Sequence, residues 1–512
     1  MTESKRETER KYEVPAADGT GWLPDLTGVA GIESVVDQGI EELDAVYYDT
    51  DDLRLAGASA TLRRRTGGSD AGWHLKLPLT ADSREEVRAP LSGTVPDALR
   101  DLALSRSRGA ELKPVVRIRA SRGVRRLVGA DRTALAELSI DVVRAEPLHG
   151  DATPAAWIEM EVEVATDTDP GFLDAVERTL SESGVGRAPT PSKLARALRE
   201  TGLKASRAPE EHAGTVVPGS AGDEVRRYVE AQVRALVDLD PAVRRERPDS
   251  VHRMRVTCRR LRSVLRSYRP VLDRAVTDPV REELKWLGSR LADARDQEVL
   301  LERFTSRIEA LPPELLFGPV SARLRVWDVG SASDARRRTL DALGSDRYLA
   351  LLDSLAALAR RPPLRDTAAG DARKVMGRAI LKEYGRLEGR VAHALELPPG
   401  PARDTALHQA RKAAKKTRYV TESACEPLGR PAERFGKRVK NVQKVLGGHQ
   451  DSVVARRALW KLASAAQSAG EPGFVWGLLY GREQAAADAR ERELPAAWAK
   501  ASRPKLRKTF GS

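Results

Sequence analysis

Five stretches within the first 165 residues place charged side chains at every second position. They are Glu7-x-Glu9-x-Lys11, Arg63-x-Arg65, His74-x-Lys76, Arg117-x-Arg119 and Glu159-x-Glu161-x-Glu163. Residues two apart share one face of a β-strand, so each stretch predicts a strand with one charged face. Many of the intervening positions are apolar: Leu62, Leu75, Leu77, Ile118, Met160, Val162 and Val164. An antiparallel sheet with its charges turned to water accounts for any one of these strands. Five of them, carrying both signs, are better explained by a closed barrel with a polar lumen and an apolar outer face under helices. Carboxylates are hard oxygen ligands for divalent cations, and guanidinium groups clamp phosphate through parallel hydrogen bonds. A lumen with both suits a chain of phosphoryl groups, whose charge needs cations and whose hydrolysis needs a metal. As a way of stabilising a core it is poor, because desolvating so many charges is unfavourable.

A different pattern appears twice further on. His252-Arg-Met-Arg-Val-Thr-Cys-Arg-Arg-Leu-Arg262 aligns without gaps on His408-Gln-Ala-Arg-Lys-Ala-Ala-Lys-Lys-Thr-Arg418. On a helix, positions i, i+3, i+7 and i+10 fall within about 80° of one another. His252, Arg255, Arg259 and Arg262 therefore form one stripe, and His408, Arg411, Lys415 and Arg418 another, with Arg260, Lys412 and Lys416 adding charge beside them. Neither segment contains an Asp or Glu that could balance it at i, i+4. Each is followed by an echo, Asp296-x-x-Val299 and Asp451-x-x-Val454, which points to duplication of one helical unit.

These patterns divide the 512 residues in two. Turn-rich, alternating sequence fills residues 1–202. Linker-like sequence rich in Pro, Gly and Ala runs through 203–221, and residues 222–505 change to a period near 3.6 before a basic tail at 506–512. The expected fold is multidomain α+β: a closed antiparallel barrel flanked by helices, then an all-α bundle of two related sub-bundles. Helical cover for the barrel is expected at Ile32–Leu43, Asp97–Ser105 and Phe172–Ser183. In the second half, helices are expected at Asp223–Leu239, Val251–Tyr268, Pro279–Phe304, Ala372–Leu395, Thr405–Cys425 and Ala432–Ala466. Residues 1–221 carry a net charge of −8 and the remainder +21, so the helical half calls for a polyanion. Two distant cysteines make neither a disulfide framework nor a metal cluster. With a charged N-terminus and no apolar run of about 18 residues, a cytoplasmic protein with no membrane span is expected.

Glu7-Thr8-Glu9-Arg10-Lys11 resembles the ExExK opening of CYTH domains, the triphosphate tunnel metalloenzymes. The resemblance continues in order through YYDTDDLRL (47–55), TLRRR (61–65), WHLKLP (73–78), SREEVRAPL (83–91), PVVRIRASR (114–122), IEMEVEV (158–164) and PSKLARAL (191–198). It implies an eight-stranded antiparallel barrel, a tunnel in which Glu7, Glu9, Glu161 and Glu163, with Glu159 and Asp141, hold Mg²⁺ or Mn²⁺. Arg63, Arg65, Lys76, Arg117, Arg119 and Lys193 would neutralise the phosphates, and Lys11 with Glu9 would serve the attack on a terminal phosphorus. His74 is expected to be structural. Arg10 and Arg64 have the wrong parity for the lumen, and Asp49, Asp51 and Asp52 suit a capped turn better than a metal site.

The helical half resembles CHAD domains in VHRMRVTCRRLRSVL, LADARDQEVL, LHQARKAAKKTRYVTE and VQKVLGGHQDSVV. That resemblance implies all-α tandem four-helix bundles with inorganic polyphosphate in a basic groove between them, contacted by the two stripes, and a location at polyphosphate granules. Nucleic acid is disfavoured, because the stripes hold no aromatic residue on which bases could stack. The CYTH resemblance leaves three kinds of activity open: inorganic triphosphatase, thiamine triphosphatase and adenylate cyclase. No residue ties to an adenine or thiazolium pocket, so inorganic triphosphate leads. A barrel that binds anions without turning them over is the non-catalytic alternative.

Overall fold

The structure, a computed structural model, describes residues 3–14, 23–165, 168–169, 171–204 and 216–511, and within them the side chains of all but 293–298 and 328–332. The Asp296 side chain therefore lies outside the described residues. The chain divides into two compact units, Met1–Glu211 and His212–Ser512.

The first unit is a closed antiparallel barrel of β1 (Glu3–Glu13), β2 (Ile32–Asp49), β3 (Thr61–Thr66), β4 (Gly72–Pro78), β5 (Ser83–Ala89), β6 (Lys113–Gly129), β7 (Ala134–Pro147) and β8 (Ala155–Val164). The order is β5-β4-β3-β2-β6-β7-β8-β1, and β1 closes the ring on β5. β1 manages this by sharing its length: Glu3–Thr8 pairs with β5, and Glu9–Glu13 pairs with β8. A two-residue strand, β9 (Gly186–Arg187), adds to β1 near its end. Four helices attend the barrel: α1 (Arg54–Gly57), α2 (Asp97–Ser107), α3 (Phe172–Glu182) and α4 (Lys193–Thr201).

The outer face carries the core. Leu62, Trp73, Leu75, Leu77 and Val87 pack beneath α2 with Leu99 and Leu102. Leu138, Ile140, Met160 and Val162 pack beneath α3 with Leu173 and Val176. Each fully buried side chain of this size stabilises by roughly 1.5–3 kcal/mol, so helical cover on the outside frees the lumen to carry charge. Ile32–Leu43, expected as a third covering helix, is instead the first two-thirds of β2. Its apolar spacing suits a helix, but β-branched Ile32, Val35, Val36 and Ile40 suit a strand. An almost continuous ladder to β6, from Ile32↔Gly129 to Asp49↔Lys113, settles the competition.

The second unit is helical. Its helices are α5 (Ala221–Arg244), α6 (Ser250–Ser267), α7 (Arg274–Arg290), α8 (Ala292–Glu309), α9 (Val320–Leu343), α10 (Asp346–Arg360), α11 (Ala372–Glu396), α12 (Pro401–Ser423), α13 (Cys425–Leu428), α14 (Arg430–Ser468) and α15 (Phe474–Ala501). Helices α5, α6, α7 and α10 pack as one bundle, and α11, α12, α14 and α15 as a second. The two basic helices α6 and α12 touch where the bundles meet, over one continuous apolar core. Expected as one helix, Pro279–Phe304 breaks at buried Leu291 into α7 and α8, while the second copy runs unbroken as α14. The last residues, expected as a basic tail, continue the core instead. Phe510 is buried with its ring 5.6 Å from that of Phe435. A Cβ on Gly377 of α11 would fall 2.5 Å from the Phe510 carbonyl oxygen, so only glycine allows this approach. Phe510→Ala should lower the stability of the helical unit by about 3–5 kcal/mol, read as a lower urea midpoint in circular dichroism.

Candidate functional site

Strand parity decides which side chains enter the barrel. Odd positions of β1, β3 and β8 and even positions of β4, β5 and β6 face the lumen, a cavity of ≈ 390 Å³. It is lined by Glu7, Glu9, Lys11, Arg63, Arg65, Lys76, Glu161, Glu163 and Lys193, all expected, and also by Arg84, Glu86, Arg88 and Arg122. The last four were missed. Arg84-x-Glu86-x-Arg88 alternates just as the five recognised stretches do, so its signal was present.

Arg117 and Arg119, expected to contact phosphate, do not line the lumen. The inward face of β6 is the even one, Val116, Ile118, Ala120 and Arg122, and the odd one points away. Arg117 donates to Asp44 from outside at 2.9 Å, and Arg119 to Glu146 at 2.9 Å, with side chains 39% and 48% exposed. The basic groups that β6 contributes inside are Arg126 and Arg122, the latter at 2.8 Å from Asp141 and 3.0 Å from Glu161.

The carboxylates gather as two triads: Glu7, Glu9 and Glu163, and Asp141, Glu159 and Glu161. In each, one oxygen per residue lies within 4.8 Å of the others. Lysine ammonium groups sit among them. Lys76 Nζ is 2.6 Å from Glu7, and Lys193 Nζ lies 2.8 Å from Asp141, 2.8 Å from Glu159 and 2.5 Å from Glu161. Lys193 reaches this point because Ser192 caps α4, accepting from the Ala195 N–H, and so starts the helix at the lumen wall. Lys11 contacts Glu161 and lies 3.5 Å from Glu9. Two buried oxygens, Glu7 Oε2 and Glu159 Oε1, accept no well-directed hydrogen bond and are held only by the lysine charges. Hard oxygen donors with spare lone pairs fit a Mg²⁺ or Mn²⁺ ion.

Electrostatics reflect the enclosure. Burial pushes the Lys11 ammonium down to about 8, with Glu9 opposing and Lys193 adding to the effect. Burial also opposes ionisation of Glu9, but Lys11, Lys76, Arg84 and Lys193 outweigh it and hold the carboxyl well below its usual range. Burial lowers Arg65 to about 9, helped by Arg63 and Arg122. Ten cations and seven carboxylates line the cavity, so it is net positive before any metal enters. His74 acts as a brace, with Nδ1 2.9 Å from Glu86 and Nε2 2.8 Å from the Asp70 carbonyl. Arg10 and Arg64 point outward, Arg10 to Asp82 and Glu177 and Arg64 to the Ser92 carbonyl. Asp49 accepts from the N–H groups of Thr50, Leu55 and Ala56, as a capped turn requires.

In the helical unit a groove of ≈ 440 Å³ brings together Arg259, Arg262, Arg266 and Arg281 with His408, Arg411, Lys412, Lys415 and Lys416. No carboxylate is among its lining residues. The unbalanced charge shows in the basic groups. Burial lowers Lys415 to about 7, reinforced by Arg411 and Arg259; burial also lowers Lys416, with Arg266 adding, and His408, with Lys412 adding. Four expected residues lie off the groove lining. Arg260 turns to Glu422, and Arg418 lies over the Tyr419 ring at 4.7 Å. Arg255 donates to the Ala292 carbonyl at 3.2 Å, and His252 sits a further turn away. The usable stripe of α6 thus starts later than the repeat suggested and runs on to Arg266. Cys258 and Cys425 are free thiols, Cys258 raised to about 12 by burial.

A CYTH-domain model matches residues 5–198, and a CHAD-domain model matches residues 227–460. The chain is a CYTH–CHAD fusion. It is 38% identical over 506 residues to an uncharacterized protein of Mycobacterium tuberculosis H37Rv, covering 96% of this chain and 95% of that one. The counterpart in strain CDC 1551 matches equally. Among solved structures, PptA from Streptomyces chartreusis is similar at 24% identity and a TM-score of 0.46, over 55% of this chain and 99% of that one. A Hippeastrum protein, named as an adenylyl cyclase with a dominant triphosphatase activity, is similar at 18% identity and a TM-score of 0.26, over 40% and 100%. CYTH domains form the triphosphate tunnel metalloenzyme family, whose members are triphosphatases or cyclases and depend on metal. No helix among the described residues of the CYTH–CHAD protein is long and apolar enough to cross a membrane.

Two outcomes are expected from this geometry. Arg122→Ala should weaken tripolyphosphate binding by about 10- to 100-fold, the 1.5–3 kcal/mol typical of hydrogen bonds to charged groups. Arg117→Ala should change it by less than about twofold, as a solvent-screened surface charge does; calorimetry compares the two. In the groove, Lys415 is only partly protonated above pH 7 when empty, and a bound polyanion raises its affinity for the proton. Polyphosphate binding should therefore take up protons and strengthen as pH falls from about 9 to about 7, levelling below. Lys415→Arg should reduce that slope, measured by calorimetry in buffers of different ionisation enthalpy.

Proposed function

We propose that the barrel is a metal-dependent inorganic triphosphatase acting on tripolyphosphate or the ends of polyphosphate, and that the helical groove binds inorganic polyphosphate. The observation that carries this is the meeting, in one cavity, of Glu7, Glu9, Glu161 and Glu163 with Arg63, Arg65, Arg84 and Arg122, with buried Asp141 and Glu159 grouped against Glu161. Carboxylates alone would be a metal site, and arginines alone an anion site. Together they suit a substrate that arrives with its metal.

Bound Mg²⁺ or Mn²⁺ would supply charge neutralisation at the phosphoryl oxygens. Glu7, Glu9 and Glu163, or Asp141, Glu159 and Glu161, would hold it. Arg63 and Arg65 carry buried Nε–H groups that make no hydrogen bond, so an entering phosphate meets donors that are already desolvated and aimed. Lys76, Lys193 and Lys11, each now paired with a carboxylate of these groups, would turn to phosphate oxygens once those carboxylates held a metal. Lys11 and Glu9, 3.5 Å apart in the lumen, would orient the terminal phosphoryl group and the attacking water. The work of the chain is positioning and charge rather than covalent catalysis.

In the groove, eight lysines and arginines face one another without a carboxylate, and a flexible polyanion relieves them along its length. Base stacking has little support, since the one aromatic in the lining, Tyr419, is covered by Arg418. A cytoplasmic location at polyphosphate granules follows from this reading.

The test is Glu161→Gln combined with Glu163→Gln. Mg²⁺- or Mn²⁺-dependent phosphate release from tripolyphosphate should fall at least about 100-fold, while long-chain polyphosphate binding by the full-length protein stays within twofold. A matched panel with ATP and thiamine triphosphate, scored for cyclic product as well as phosphate, should show tripolyphosphate as the best substrate. Loss of both functions in the double variant would rule out the assignment of one to each unit.

A further inference from the structure

We propose that the barrel holds a rear chamber that receives the orthophosphate cut from the substrate, an inference that rests on the hydrolase reading above. A second cavity, of ≈ 170 Å³, lies against the lumen and shares three side chains with it: Glu9, Lys11 and Arg84. The rest of its wall comes from Arg10, from the turn at Ala81–Asp82 and from the segment Arg187–Pro191.

Strand pairing explains why a cavity forms at this place. β1 pairs with β5 only as far as Thr8↔Ser83, then transfers to β8 and β9. Past Ser83 the barrel wall therefore has a seam with no continuous ladder. A few backbone contacts pin its edges: the Glu9 N–H donates to Asp82 O at 2.9 Å, and the Ala188 N–H donates to Lys11 O at 2.8 Å. Arg84 spans the seam, one guanidinium nitrogen 3.9 Å from Glu9 and another donating to the Pro191 carbonyl. Lumen and chamber meet at the residues that line both, Glu9, Lys11 and Arg84, and these long side chains can move aside where a continuous strand ladder cannot.

The chamber is built for a small anion. Arg10, Lys11, Arg84 and Arg187 line it against Glu9 and Asp82; Arg10 is held from outside by Asp174 and Glu177, which leaves Lys11 and Arg84 as the cations at the partition. It has less than half the volume of the lumen, which suits one phosphate rather than a chain. Arg187, 45% exposed, stands at its outer side paired with Asp82, so the route leads toward solvent.

The chemistry gives the chamber a purpose. Water oxygen bonds to the terminal phosphorus as the bridging P–O bond breaks. The electron pair of that bond stays with the shortened chain, and the two water hydrogens end on the products or the buffer. The products are one orthophosphate at the Glu9–Lys11–Arg84 partition and a shorter chain still held by Arg63, Arg65 and Arg122. Leaving by the lumen, the orthophosphate would have to pass that chain. Leaving through the partition, it does not.

The experiment uses full-length protein without divalent metal, saturated with tripolyphosphate, and measures binding of radiolabelled orthophosphate by equilibrium dialysis. Wild type should retain an orthophosphate site that tripolyphosphate does not displace. Ala188→Trp and Ala81→Trp, which fill the chamber from two sides, should each lose it while binding tripolyphosphate as wild type does. Complete displacement by tripolyphosphate, or equal orthophosphate binding by both filled variants, overturns the chamber. Hydrolysis with Mg²⁺ or Mn²⁺ separates the two readings. If wild type releases no phosphate, the hydrolase reading and the chamber's role fall together. If it hydrolyses but its orthophosphate is displaceable, only the chamber falls. In the active case, the filled variants should keep the single-turnover rate and lose at least threefold in steady-state turnover.

Discussion

Moving an ammonium or guanidinium group out of water carries a penalty of several kcal/mol unless a counter-charge goes with it. The two units meet that constraint in opposite ways. In the barrel, each buried cation has a carboxylate within reach: Lys76 has Glu7, Lys193 has a triad, and Arg122 has Asp141. The groove has no carboxylate in its lining, only Asp451 and Asp278 beside it on Arg411 and Arg281, and its lysines yield by binding their protons less tightly. A compensated interior favours a ligand that brings both signs, such as a metal with its phosphates. An uncompensated groove favours a ligand of one sign alone.

The same ion pairs explain how an interior this polar stays folded. The outward faces of β3–β5 and β6–β8 supply the apolar burial, under α2 and α3, while the inward faces are left to electrostatics. Part of the interior does become an ordinary core. Leu43, Ala45, Ile118, Val143 and Trp157, on the inward parity, pack with Leu194 and Ala197 of α4. The charged cavity and this apolar floor meet at Lys193, the first residue of α4, whose ammonium reaches the Asp141 triad while its neighbour Leu194 joins the core. One helix start thus both closes the barrel and furnishes its site.

Much of this was legible in the sequence, because a period of two is hard to imitate. Glu7, Glu9, Lys11, Arg63, Arg65, Lys76, Glu161 and Glu163 all enter one cavity as their spacing requires. Where the reading failed, parity failed with it. On β6 both faces carry arginine, Arg117 and Arg119 on one and Arg122 on the other, and nothing local says which is inside. The deciding facts are cross-strand ones, Arg122 opposite Asp141 and Arg117 beside Asp44, which arise only once register is set. The same holds for the α6 stripe. A helix presents any given residue within a turn of its neighbours, and the packing of α6 on α12 chose Arg259, Arg262 and Arg266 over His252, Arg255 and Arg260.

The duplication adds one further consequence. Among the positions that are basic in both copies, two exchange arginine for lysine: Arg259 and Arg260 of the first become Lys415 and Lys416 of the second. Guanidinium groups keep their charge across the physiological range, whereas a desolvated ammonium sheds its proton readily. Lysine on the α12 side, facing arginine on the α6 side, therefore gives the groove one wall of fixed charge and one whose charge depends on occupancy. An empty groove lowers its own repulsion by releasing protons, and a polyanion entering it recovers them. Had both copies kept arginine, the empty state would bear its full repulsion at all times, and the bundle contact that joins α6 to α12 would have to resist it unaided.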